Sequence, residues 1–190
     1  MMRLIYRQPC LLLALFLMTA CGSEKSISDR LALDLVASYL ESNPVYDTGT
    51  LAYGNIKLRQ KADSLSLAQL QTLEKGGYIR LERVNEKKRF LSKDSTFTIQ
   101  VQVLDPSIPY VLEKTDKKLS VKAASYSLDE SGGVMVEQNG KSRAKVTVTL
   151  RRNETDFADF SDKQVDAHTS FIKKTYSLRY IADSGWEVYK

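Results

Sequence analysis

Residues 96–103 alternate without a break. Phe97, Ile99, Val101 and Val103 fall on one parity, and Thr96, Thr98, Gln100 and Gln102 on the other. A period of two puts the apolar set on one face and the polar set on the opposite face, so the segment is a strand with one buried side. Such a strand needs partners and a cover, which confines the chain to folds built on a sheet. The chain beyond Pro109 continues in the same style. Strand patterns cover 119–128, 134–138, 142–151 and 169–182, with a short closing piece at 186–188. Asn139-Gly140 is a two-residue hairpin signal, because both central residues of that turn take positive φ. Ser184-Gly185 makes a second tight turn. Short links between neighbouring strands predict an antiparallel meander.

The first third reads differently. Residues 27–41 carry Ile27, Leu31, Leu35 and Tyr39 at four-residue spacing, with Val36 and Leu40 beside them. This is a helix with one apolar stripe, started by Ser26 or Ser28 and stopped at Asn43-Pro44. Residues 45–58 read as an extended piece broken at Gly54. Residues 67–75 predict a second helix through Leu67, Leu70 and Leu73, closed by Gly76-Gly77. A strand comes next over 78–84, then a polar turn over 85–88 and a return strand over 89–91. Asp105-Pro106 and Pro109 interrupt the chain and mark the best boundary between two parts.

The N-terminus is an address. Arg3 and Arg7 stand without any acidic residue before an apolar core running from Leu11 to about Met18. A basic start, a short apolar core and small residues after it are the parts of a secretory signal. The core is far shorter than the roughly 20 apolar residues of a membrane-spanning helix. Met18-Thr19-Ala20-Cys21 resembles the bacterial lipobox, with Met18 where leucine is commonest. The resemblance implies cleavage before Cys21 and acylation of that cysteine. Gly22 stands directly after it, where aspartate is the usual inner-membrane retention signal, so the start is similar to those of outer-membrane lipoproteins. Several acyl chains on one residue would hold the protein permanently, since one chain alone anchors only marginally.

This address limits the chemistry open to the mature chain. The full sequence has 2 cysteines. Cys10 lies in the signal and Cys21 takes the lipid, so the mature chain has no free thiol and no disulfide. The formal charge of +5 falls to +3 once Arg3 and Arg7 are removed, too mild a balance to mark a nucleic-acid binder. His168 is the only histidine, so the familiar zinc sets are not available, and it reads as a strand-edge surface residue.

Residues 27–91 resemble a winged-helix domain: helix, Gly76-Gly77, Tyr78-Ile79-Arg80-Leu81 and a charged hairpin. The resemblance implies a recognition helix before the glycines and a basic wing containing Arg80, Arg83, Lys87, Lys88 and Arg89. Behind an export signal the expected contact for such a wing is an anionic lipid headgroup, not DNA. The acidic stretch 154–162 spaces Asp156, Asp159 and Asp162 three apart, a pattern that could be turned to calcium. Phe157 and Phe160 share the period, which predicts instead one helical turn laid over the sheet, phenylalanines inward and carboxylates in water. The chain holds 10 tyrosines. Tyr126, Tyr176, Tyr180 and Tyr189 fall in predicted strands and form a candidate binding face, although tyrosine is also an ordinary strand residue.

The expectation is therefore an α+β protein: a small winged-helix-like helical part, then an antiparallel β-sheet. The divisions are a cleaved signal over 1–20, a lipidated tether over 21–26, a first domain over 27–105 and a β-rich domain over 106–190. The expected role is a non-enzymatic binding or assembly module, outer-membrane-anchored and facing the periplasm. Its partners are the bilayer, through acylated Cys21, and an envelope protein or cell-wall component, with no cofactor and no nucleic acid. An envelope hydrolase using carboxylates is the alternative in another class, and a small-ligand carrier with a pocket between the two parts is a third.

Overall fold

The computed structural model describes residues 26–87, 95–162 and 170–189. It is α+β and mainly antiparallel sheet. The order is α1 (Asp29–Ser42), β1 (Val45–Ala52), β2 (Gly54–Arg59), α2 (Ser64–Lys75), β3 (Ile79–Lys87), β4 (Thr96–Val103), β5 (Val111–Lys114), β6 (Lys118–Leu128), β7 (Val134–Asn139), β8 (Arg143–Glu154), β9 (Phe171–Ile181) and β10 (Gly185–Tyr189). Short 3-10 turns occupy Asp105–Tyr110, Glu130–Gly132 and Ala158–Phe160.

Seven strands form one sheet in the order β1-β6-β8-β9-β10, with β5 added to β6 and β7 to β8. β2, β4 and β3 form a second sheet in that order. Every strand pair is antiparallel. The large sheet departs from the expected meander, because β1 pairs with β6 and β6 passes over β7 to pair with β8, whose length lets it serve both. The first half of β8 pairs with β7 through the Asn139-Gly140 turn, its last residues pair with β6, and β9 covers its other edge.

Two apolar cores result. α1 lies over the β8–β10 end of the large sheet, burying Ala32, Val36 and Leu40 with Ala144, Val146, Val148, Leu150, Tyr176, Leu178 and Trp186. The buried line of the helix is thus 32-36-40, and Leu31 is left 42% exposed. The small side chain at Ala32 lets the helix backbone settle close to the strands, which a leucine there would prevent. Ser28 caps the helix by accepting from the Leu31 N–H, with Asp29 in the first turn. Asn43 closes it, its backbone N–H donating to the Tyr39 carbonyl at 2.8 Å.

The second core gathers Leu70 and Leu73 of α2, Ile79, Phe97, Ile99 and Val101 of the small sheet, Leu51, Leu119 and Val121 of the large one, and Phe157. α2 ends at Gly76-Gly77, where Gly77 takes φ +77°, a conformation that side chains disfavour. The helix, glycine pair and following strand are therefore present as expected. However, α1 and α2 serve separate cores. β3 runs on through Lys87, so residues 85–87 of the expected polar turn are strand. The expected return strand at 89–91 lies outside the described residues. Among the described residues no helix is long and apolar enough to cross a membrane.

Candidate functional site

The candidate tyrosines separate into two places. Tyr176 and Tyr189 line one cleft of about 480 Å³, formed by the C-terminal end of α1, residues 174–177 of β9 and the end of β10. Tyr39, Asn43, Pro44 and Val45 supply the helix side, and Val188 and Lys174 complete the walls. Alternation explains the placement. Tyr176 shares the parity of Leu178 in β9 and faces α1, whereas Tyr189 pairs across from Ser177, on the opposite face, and borders the cleft from the sheet edge.

Tyr176 is 7% exposed, and its ring meets the edge of Tyr39 at 5.8 Å. The Lys174 ammonium stands 5.5 Å from the Tyr176 ring centre, a favourable cation–π position. The Tyr176 hydroxyl is buried and has no hydrogen-bond partner among the described residues. Leaving such a group unpaired costs about 1–3 kcal/mol. Burial, with a smaller contribution from Tyr39, raises its pKa above the ordinary tyrosine value. Tyr180 packs on Trp186 at 5.7 Å instead, and Tyr189 carries the Arg179 guanidinium at 5.8 Å.

Tyr126 belongs to a different arrangement. Its hydroxyl donates to the Asp47 carboxylate at 2.8 Å, and Arg152 Nε donates to the same oxygen at 3.2 Å. Asp47 is 3% exposed and the Arg152 side chain 8%. Arg152 also binds Glu154, which reaches solvent. The group sits where β1 and β6 run from one core to the other, at a bulge between Asp47 and Thr48. Burial works against the Arg152 charge, but hydrogen bonds to Glu154 and Asp47 outweigh it and raise the arginine pKa. Burial, then the Asp47 contact, raises that of Tyr126. Sequence reasoning misses both Asp47 and Arg152, though a signal exists. Arg152 continues the inward parity of Ala144, Val146, Val148 and Leu150, and Asp47 that of Gly49 and Leu51. Opposite charges at inward positions of two strands read as a buried pair.

The acidic stretch forms the expected turn. Phe157 is fully buried, Phe160 packs against the same core, and Asp156, Asp159 and Asp162 are not buried. Asp156 accepts from the Tyr78 hydroxyl at 2.5 Å, and Asp162 from the Thr50 hydroxyl at 2.8 Å. The Asp156 bond first, and then burial, raises the Tyr78 pKa. The three carboxylates do not converge, and among the described residues no group of three metal-ligating side chains does. The turn crosses β1 at Gly49, where a Cβ would strike the Phe160 carbonyl. Beside it lies a second cleft of about 460 Å³, walled by Leu51, Ile56, Leu58, Leu70 and Phe160, with Lys57, Gln69 and Asp159 among its polar groups.

On the small sheet, Arg80 and Arg83 are exposed. Arg83 lies over the Phe97 ring at 4.9 Å and pairs with Glu86 at 3.5 Å. Lys87 ends β3. Lys88, Arg89, His168 and Cys21 lie outside the described residues. Comparison with protein-family models, with curated proteins and with solved structures returns no match.

Proposed function

We propose that the chain is a lipid-anchored envelope lipoprotein, held at the outer membrane by acylated Cys21 and facing the periplasm, where it acts as a non-enzymatic binding or assembly module. The bilayer is one partner, and an envelope protein or cell-wall component is the other. The address rests on the basic start, the short apolar core and Met18-Thr19-Ala20-Cys21. The binding role rests on one observation: the cleft beside α1, where the Tyr39 and Tyr176 rings stand beside Lys174, with Tyr189 at its edge. Tyrosine supplies large contact area with a polar tip, which suits recognition surfaces. The winged-helix likeness enters only as local form, in α2, the glycine pair and the β3–β4 hairpin. Its role here is to present Arg80, on the outer face of β3, toward anionic headgroups.

A carrier role is the second reading, favoured by the apolar cleft between β1, β2 and α2, whose size suits a small molecule. Chemical crosslinking in cells separates the two. A binding module yields a discrete adduct with an envelope component. A carrier yields no adduct and retains a small molecule through purification. For the anchor, cells fed an alkyne fatty acid should label the wild-type chain and not Cys21→Ser. Equal labelling and equal membrane retention of the variant would exclude anchoring at that cysteine.

A further inference from the structure

The backbone of β9 leaves a segment of open edge beside the Tyr176 cleft. Two bonds, Tyr180 N–H to Ser142 C=O and Arg152 N–H to Ser170 C=O, fix the phase of the β8–β9 ladder. In an antiparallel pair, hydrogen-bonded and non-bonded positions alternate. The even residues of β9 therefore bond to β8, and the odd residues turn their N–H and C=O groups to the opposite edge. There Arg179 and Ser177 meet β10, whose register ends at Ser177 opposite Tyr189. Thr175, Lys173 and Phe171 continue the same open edge, and no strand of the described residues pairs with it.

We infer that this edge, with the cleft beside it, is a binding site for an extended acidic peptide from a partner protein, added to β9 in line with β10. The inference rests on the binding-module reading and names its ligand class. Main-chain groups at Lys173 and Thr175 supply the ladder. Side chains of an added strand alternate, so every second one enters the cleft. Those side chains lie against the Tyr39 and Tyr176 rings that wall the cleft. The charge selects the occupant. Lys173 and Lys174 point to opposite faces of this edge, and no ion pair among the described residues engages either. Among the described residues no carboxylate lines the cleft. A second copy pairing here would bring the lysines of both copies together, which like-charge repulsion opposes.

The test is to pan a phage-displayed library of random heptapeptides against the full chain as purified from cells, then to map the strongest binder by amide exchange. The expected result is a set of peptides enriched in Asp or Glu with alternating apolar residues, and new protection at the Lys173 and Thr175 amides. Thr175→Pro removes one edge donor without touching the β8 ladder, a placement proline tolerates. It should weaken binding at least ten-fold. Lys173→Glu/Lys174→Glu should do the same with the chain still folded, and it keeps the test alive if the proline variant does not fold. The inference is overturned if no acidic peptide is enriched, if the two amides are already fully protected in the free chain, or if neither variant weakens binding. Enriched peptides that map to another surface would also overturn it while leaving a binding module in place.

Discussion

Individual residues in this fold carry distinct physical obligations. Asp47 and Arg152 are the costliest, because each buried charge depends on the other. Removing one partner of a buried ion pair is strongly destabilising, whereas replacing both by apolar groups is often neutral. Asp47→Asn should therefore lower unfolding stability by about 3 kcal/mol in urea titration, and Asp47→Leu/Arg152→Met should regain at least half of that. Tyr176 carries the opposite kind of obligation, a hydroxyl with nothing to bond among the described residues. Tyr176→Phe should be neutral or stabilising by about 1 kcal/mol at pH 7. It should also flatten the alkaline limb. Tyr176, Tyr126 and Tyr78 all have raised pKa values in the fold. The folded chain keeps these protons where the unfolded chain releases them, near the ordinary tyrosine value of about 10. Their contribution is complete below that pH and is lost as the pH rises beyond it. Melting curves between pH 8 and 11 should fall for the wild type and fall less for Tyr176→Phe.

The sequence declares most elements through periodicity and leaves their partners undeclared. Residues 96–103 form a strand with the predicted bounds, and the Asn139-Gly140 hairpin joins β7 to β8. Both are local patterns, set by side-chain alternation and turn chemistry within a few residues. β5 has no such signature, because Val111–Lys114 offers four residues and no alternation. The four-residue spacing from Ile27 puts the stripe of α1 one residue off its true line, because size at the contact, and not hydropathy alone, decides which side meets the sheet. The turn at Ala158–Phe160 is legible from the shared period of Phe157 and Phe160. Its crossing at Gly49 is not, since a close backbone approach leaves only a glycine as its trace. Gly49→Ala should cost about 1–3 kcal/mol through forced separation of that turn from β1, read as a lowered urea midpoint. Capping obeys simpler rules: Ser28→Ala should cost about 1 kcal/mol, again by urea titration.

Across the whole molecule, long strands join the two cores. β1 and β6 each contribute to both, and the Asp47–Arg152 pair lies along the passage between them. The candidate site is half legible in the sequence. Strand parity brings Tyr176 into view, but the cleft exists only because α1, distant in sequence, ends beside β9, and Tyr189 reaches it from the sheet edge. That juxtaposition is a property of tertiary packing, which no local pattern encodes. On the proposed reading, the anchored chain meets its partner through this cleft. A photoreactive amino acid placed at Tyr189 in living cells, with Leu65 on α2 as an exposed control, measures it directly. A discrete envelope adduct from position 189 and none from position 65 is the predicted result. Identical adducts from both positions, or none from position 189 while position 65 captures one, would contradict it.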